Sequence, residues 1–204
     1  VQPGVINSWV TRAVAGDGFY YAPDPSSQVA CSIGGNVAEN SGGVHCLKYG
    51  LTVNNLLAVE MVTIEGELVT LGGGGLDGPG YDLLALATGS EGMLGVVVEV
   101  TVKLLPRPEA AILQMAAFDD IANAGAAVGG IIAAGIIPAG LEMMDNPAIR
   151  AAEDFASRNS RAQPALWWRP RAACTTGARL CHTRAAFIAW PDSTLKPKRL
   201  QGSV

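Results

Sequence analysis

The chain has 204 residues, 49% of them apolar, with 25 glycines and only 6% aromatic residues. That length can bury one sizeable core or two small ones, and the glycine content favours a loop-rich α/β or α+β protein over a helical bundle. No apolar run reaches the roughly 20 residues of a spanning helix; the longest candidate, residues 122–140, is rich in Ala and Gly, contains Pro138 and reads as a buried helix leading to a turn. The formal charge of −4 hides a split: residues 1–157 hold 5 basic against 17 acidic side chains, and residues 158–204 hold 9 against 1. Such asymmetry marks either a basic nucleic-acid-binding tail or a segment that is not the natural continuation of the body. Cys31, Cys46, Cys174 and Cys181 form no CxxC pair and no zinc spacing. No signal peptide is recognisable, so a reduced cytoplasmic chain is the default expectation. The first residue is Val1 rather than Met, which suggests a processed or truncated N-terminus.

In chain order, Val5, Ile6, Trp9, Val10 and Val14 recur at helical spacing, with Gly16 and Gly18 as the stop. Pro23 and Pro25 fix an extended turn. The stretch PDPSSQVACSIGGNVAENSGGVHCLKYG, residues 23–50, exposes much backbone behind few bulky side chains, which suits close approach to a flat or phosphorylated group. A short helix starting near Ser32 is predicted to run through Asn36, Val37 and Glu39 and to break at Gly42 and Gly43, with free N–H groups at its start. Residues 56–64 and 67–71 flank Glu65-Gly66 as a β-hairpin, 72–80 form a flexible connection, and 82–87 a short helix. A second Gly-rich loop, TGSEGMLG, feeds a β-branched strand over 95–105, and Pro106 and Pro108 mark a boundary. Beyond it lie a strand over 112–118, a helix over 121–134 capped by Asp119, a strand over 141–144, and a helix over 148–155 with Asn146 as cap and Pro147 at its first position. This is a βαβα start whose sheet lacks partners. From Arg158 onward no period of 2 or 3.6 is sustained, as in an out-of-frame translation of GC-rich DNA.

The motifs VQPGV, YYAPDPSS, SIGGNVAENSGGVHCLKYG, TGSEGMLGVVVEVTVKLLP and AGIIPAGLEMMDNPAIRAAEDF resemble those of the glycolate oxidase D-subunit and D-lactate dehydrogenase family of FAD-linked oxidases, nearly continuously over residues 1–155. The resemblance implies an α+β fold: the second subdomain of a vanillyl-alcohol-oxidase-type FAD-binding domain over 1–106, then the start of a ferredoxin-like substrate domain over 107–157. Residues 158–204 match nothing in the family and are expected to be disordered or frameshifted. The Gly-rich pyrophosphate loop of the first flavin subdomain has no counterpart. Nor do the metal-binding histidines of the substrate domain: the two histidines are His45 and His182, so no metal ligand is assigned.

The resemblance places three segments on FAD. Pro23, Asp24, Ser26, Ser27, Cys31, Ser32, Gly34 and Gly35 lie along the flavin, the polar side chains and backbone N–H groups supplying contacts without bulk. Glu39, Asn40, Ser41 and Gly42 form a second contact segment. Glu91, Gly92, Met93, Leu94, Gly95, Val96 and Val97 reach the ribityl and adenosine part, Glu91 orienting its loop. Taken alone, each has a plainer reading: a loop turn, a solvated helix end, a strand entry with bulge glycines. Covalent flavin attachment at His45 or Cys46 is not placed here in this family, and a packed or hydrogen-bonded His45 is expected. Cys31 reads as a small buried residue, and Lys48 and Tyr49 as residues that order their loop. Glu142 reads as a paired carboxylate, and Met143 and Met144 as core. No catalytic residue is assigned. The implied reaction is oxidation of a small 2-hydroxy acid, glycolate or D-lactate, with electrons passing to partner subunits that include an iron–sulfur protein. This chain alone is expected to be inactive. No nucleic-acid partner is expected, and membrane association is at most peripheral, the protein being cytoplasmic or at the inner face of the membrane through its partners. Two alternatives are a non-catalytic half-flavin module that pairs with a separate chain, and another oxidase of the same superfamily acting on an alcohol or ether lipid.

Overall fold

The computed structural model describes residues 1–73, 80–109, 114–159 and 185–190. The described residues divide into two compact units, one within residues 1–109 and one made of residues 114–159 with 185–190.

In the first unit, helix α1 (Asn7–Val14) starts where the extended Ile6 turns in, and a 3-10 turn over Ala15–Asp17 continues it to Gly18, whose φ of 79° suits a left-handed C-cap. Strand β1 (Phe19–Tyr20) follows. Helix α2 (Ile33–Glu39) is capped by Ser32, whose hydroxyl accepts the Gly35 N–H at 3.1 Å. The helix ends at Asn40 in left-handed conformation, before the Gly42–Gly43 pair expected to break it. A single helical turn, α3 (Cys46–Tyr49), leads to an antiparallel sheet in the order β3 (Leu68–Gly72), β2 (Leu56–Val62), β4 (Val96–Val102), with Gly66 at φ 81° in the β2–β3 turn. Helix α4 (Leu83–Ala87) is capped by Asp82. The long final strand expected to reach residue 105 stops at Val102. Lys103 then donates its N–H to the Asn55 carbonyl, and β5 (Leu105–Pro106) pairs with β1 instead.

Val10, Tyr21, Ile33, Val37, Leu56, Val59 and Val100 form the core where α1 and α2 meet β2 and β4. Each such side chain contributes on the order of 2 kcal/mol when fully buried. Two amides sit among them. Asn36 donates through Nδ2 to Asn7 Oδ1 at 2.8 Å, and Asn7 donates through Nδ2 to the Pro23 carbonyl at 2.9 Å; both residues are only 2% exposed. The Tyr21 phenol is buried too, with the Thr52 hydroxyl beside it but outside good hydrogen-bond geometry. Burial is the main reason its pKa lies far above the ordinary 10.0.

The second unit runs β6 (Gln114–Phe118), α5 (Ile121–Ala133), β7 (Gly140–Asp145), α6 (Asn146–Asn159), β8 (Ala185–Trp190). Its sheet has the order β6-β8-β7, with β8 antiparallel to both neighbours. The β6–α5–β7 crossover is therefore a split βαβ unit, the ferredoxin-like arrangement. The expectation that this sheet lacks partners is corrected: residues 185–190 supply its central strand. AAFIAW is an unbroken apolar run, as a strand flanked on both sides tends to be, and so it shows no alternation to read. Both helix caps move by one residue. Asp120, not Asp119, accepts the Ala122 N–H, and Asp145, not Asn146, accepts the Ala148 N–H at 2.9 Å. Helix α6 consequently starts at Asn146 and runs past Phe155 to Asn159. Residues 74–79 of the expected connection, the first residues of the strand expected at 112, and Cys174, Cys181 and His182 of the tail lie outside the described residues. Among those described, no helix is long and apolar enough to cross a membrane.

Replacing Asn7 with Ala strands the Pro23 carbonyl and the Asn36 amide in the core. Urea unfolding of the variant is expected to show a loss of about 2–4 kcal/mol, against well under 1 kcal/mol for an exposed Asn. Tyr21 gives a pH signature. Its folded pKa is raised, so the stability it contributes is fully present below pH 10.0 and falls as the unfolded phenol ionises above it. Denaturant titrations between pH 8 and about 11 should show that decline, and Tyr21→Phe should flatten it.

Candidate functional site

The site is built around α2, and each of the three candidate segments is tied to it or to a neighbour it fixes. Residues 25–31 curl into one helical turn, with the Gln28 N–H on the Pro25 carbonyl and the Ala30 and Cys31 N–H groups on the Ser27 carbonyl. Two carbonyls of this turn cap the start of α1: Asn7 N–H donates to Cys31 and Ser8 N–H to Gln28. Pro23 is held from below by Asn7. Ser26 and Ser27 stand exposed at the crest, and Cys31 is half-buried with a free thiol.

The start of α2 corrects one expectation. Its N–H groups are not free. Ile33 donates to the Val5 carbonyl, Gly34 to Pro3, Gly35 to the Ser32 hydroxyl and Asn36 to the Ser32 carbonyl. Gly34 is glycine because of the chain itself: a Cβ there would lie 2.6 Å from Pro3 Cβ. Ser32, Gly34 and Gly35 thus close the helix against the N-terminal segment and offer no anion hole.

At the other end of α2 the second and third segments meet. The Gly89 N–H donates to the Val37 carbonyl at 2.8 Å and the Glu91 N–H to Ala38 at 2.9 Å. Asn40 and Glu91 are the two non-glycine residues with positive φ among the described residues, at 50° and 55°. Asn40 Oδ1 accepts the Val53 N–H, while the Ser41 carbonyl accepts from both the N–H and the hydroxyl of Thr52. Glu39 is exposed at the helix end. Past Gly92, Met93 is 81% exposed and Val96 66%, with Leu94 between them also exposed. Gly95 closes this ridge tightly on β2, where a Cβ would lie 2.5 Å from the Val62 carbonyl oxygen. Val97 turns inward against the core.

Asp24 is the other departure from expectation. Both its carboxylate oxygens face His45: Oδ2 lies 2.6 Å from Nδ1, and Oδ1 accepts the His45 backbone N–H at 3.3 Å. Gly43 packs so closely on the Asp24 carbonyl that a Cβ would lie 2.1 Å from its oxygen. Gly42 leaves room for Cys46 and Leu51 in the same way, and Cys46 Sγ accepts the Gly43 N–H. Beyond His45, Lys48 Nζ sits 5.3 Å from the Tyr49 ring centre, and Tyr20 meets Tyr49 edge-on, so the expected loop-ordering role of Lys48 and Tyr49 matches the geometry. The tie between Asp24 and His45 spans 21 positions, and no local pattern could have revealed it. In the second unit, Glu142 and Met143 are exposed and Met144 is half-buried, so neither methionine is the full core residue expected.

Residues 1–72 match the family of FAD binding domains, and residues 107–183 match the C-terminal domain of FAD linked oxidases. Over these two stretches the chain is similar to successive domains of FAD-dependent oxidases. The second match runs beyond residue 157, where the substrate-domain portion was expected to end. Among similar proteins, the glycolate oxidase subunit GlcD of Escherichia coli K12 is 70% identical over 155 residues, 76% of this chain and 31% of the relative. That of Bacillus subtilis 168 is 47% identical over 157 residues, 76% of this chain and 33% of the relative. The chain thus spans about a third of the length of these relatives. In fold it is similar to an alkyldihydroxyacetonephosphate synthase structure, with a TM-score of 0.73 and 21% identity over 94% of this chain and 34% of that one. The fold expected from the motifs stands: part of a vanillyl-alcohol-oxidase-type flavin domain followed by a ferredoxin-like unit.

Gly43→Ala should push the 23–32 loop off the 42–50 loop, because the atom in the way is backbone. A loss of about 2 kcal/mol or more in chemical denaturation is expected, with Gly16→Ala, where nothing lies within 4 Å, close to neutral.

Proposed function

We propose that this chain contributes the flavin-facing loops to the oxidation of a small 2-hydroxy acid, glycolate in the first instance and D-lactate as the alternative. The observation that carries the proposal is the convergence of residues 23–32, 39–42 and 88–97 around one short helix inside the region matched to an FAD binding domain and directly after it.

The residues fit FAD unevenly, and the unevenness sharpens the assignment. Ser26 and Ser27 present exposed hydroxyls, and Met93, Leu94 and Val96 present apolar surface to cover a flat ring or its chain. Gly92 opens onto free space at φ 77°, leaving backbone accessible beside them. The N–H groups of Cys31 and of residues 33–36 are already engaged and would hold nothing. Asp24 is likewise committed to His45. When bound, FAD supplies the two-electron acceptor for the Cα hydride of the hydroxy acid. The chain's own part is to orient that group and to exclude water along the 91–97 ridge. In the full reaction one hydride and one hydroxyl proton leave the substrate to give the 2-oxo acid. We place the acceptor of the electrons in a partner subunit, an iron–sulfur protein, with the assembly in the cytoplasm or at the inner face of the membrane.

Titrating the full chain into FAD and following flavin fluorescence tests the assignment. Saturable binding near one flavin per chain is expected. Adding glycolate or D-lactate with a dye acceptor should give no turnover from this chain alone. Absence of flavin binding would sink the assignment, and rapid dye reduction would show that the chain also holds the substrate residues.

A further inference from the structure

We propose that His45 is a positioning residue of the flavin site, acting through Asp24. The inference rests on the flavin assignment above and adds to it a residue that touches no cofactor.

The 23–32 loop carries the exposed Ser26 and Ser27, yet its own backbone bonds only fix its internal turn and its seat on α1. Its place relative to the 42–50 loop is set by one cluster. His45 grips Asp24 twice, through Nδ1 to Oδ2 and through the backbone N–H to Oδ1. Gly43 lies against the Asp24 carbonyl with no room for a Cβ. The pair is half-buried rather than sunk, with side-chain exposures of 33% and 20%, so it borders solvent at the site's edge. Because the carboxylate accepts at Nδ1, the Nδ1-protonated ring is the form that makes this bond. Charge-assisted bonds of this length are stronger than neutral ones. A carboxylate used in this way is the loop's anchor, and the hydroxyls at the crest are left to face the cofactor.

The choice of nitrogen gives the test its discrimination. The amide nitrogen of an Asn side chain reaches the position of histidine Nδ1, whereas that of Gln reaches toward Nε2. In the full chain, His45→Asn should therefore keep the FAD affinity within about threefold of the parent, while His45→Gln and His45→Leu lose about tenfold. Asp24→Ala, which also removes the acceptor of the His45 backbone N–H, should weaken binding at least as much as His45→Leu, and the double variant no further than Asp24→Ala. The circular dichroism of the bound flavin should shift in the Gln and Leu variants and stay parental in Asn. Hydrogen exchange at residues 26–31, measured without FAD, should quicken in the same two variants. Equal behaviour of Asn and Gln, or losses that multiply in the double variant, would overturn the positioning role; the second result would return Asp24 to direct cofactor contact. Failure of the parent chain to bind FAD would instead strike the flavin assignment, while the exchange data still report whether His45 holds the loop.

Discussion

The pairing of two buried amides governs the rest of the first unit. A primary amide in an apolar core is costly unless its donors and acceptor are met. Asn36 meets Asn7, and Asn7 reaches on to the Pro23 carbonyl. That chain of two bonds fixes α2 against α1 and fixes where the proline turn enters. With Pro23 set, the following turn falls where its carbonyls cap α1. Helix α2 has only seven residues, too few to be stable alone. It persists because Ile33 and Val37 are fully buried and because both its ends are tied to other segments. One short, borrowed helix thereby locates three loops that are far apart in sequence.

The loops pay for that convergence in backbone conformation at Asn40 and Glu91. Asn tolerates the left-handed region, and Asn40 offsets the strain by accepting the Val53 N–H. Glu91 is held there by its N–H on the Ala38 carbonyl, and among the described residues no side-chain hydrogen bond of the Asn40 kind accompanies it. A non-glycine residue in that region costs on the order of 1–2 kcal/mol. The strain sits in the ridge assigned to flavin contact, with an exposed carboxylate at the bend and Met93, Leu94 and Val96 beyond it. Gly89, whose own φ is 86°, stands where a Cβ would come within 3.2 Å of Asn40, so the two strained turns are pressed together.

Most elements were legible because their causes are local. The period of α1, the Glu65-Gly66 turn and the β-branched run of β4 each sit within a few residues of the structure they make. What escaped depended on distance or on context. Two acids in a row, Asp119-Asp120, cannot be told apart as caps by composition. The Asp145-Asn146 pair poses the same difficulty, because both residues cap well. Strand β8 escaped because periodicity vanishes in a central strand. At the site, the glycines at 34, 42 and 43 were legible as places of close approach, but the approaching partner is the chain itself: Pro3, Cys46 with Leu51, and Asp24. Glycine content alone cannot separate a loop that makes room for a ligand from one that makes room for its own neighbours.

That distinction changes how a flavin would be held. A helix start with unengaged N–H groups would offer charge complementarity to a phosphate. Here those groups are closed off, and residues 1–109 carry Arg12, Lys48, Lys103 and Arg107 against eleven acidic side chains. Lys48 is already over a tyrosine ring. The unit's field therefore opposes an anionic cofactor, and on the proposed reading affinity must come from apolar cover and shape along the 91–97 ridge and from neutral hydroxyls at Ser26 and Ser27. Repulsion of that kind is screened over about 10 Å at 0.1 M salt, whereas apolar contact is not. The closed helix start and the acidic surface thus point to the same division of labour, in which this part of the chain grips the flat portion of the ligand and leaves its charge to be met by other residues.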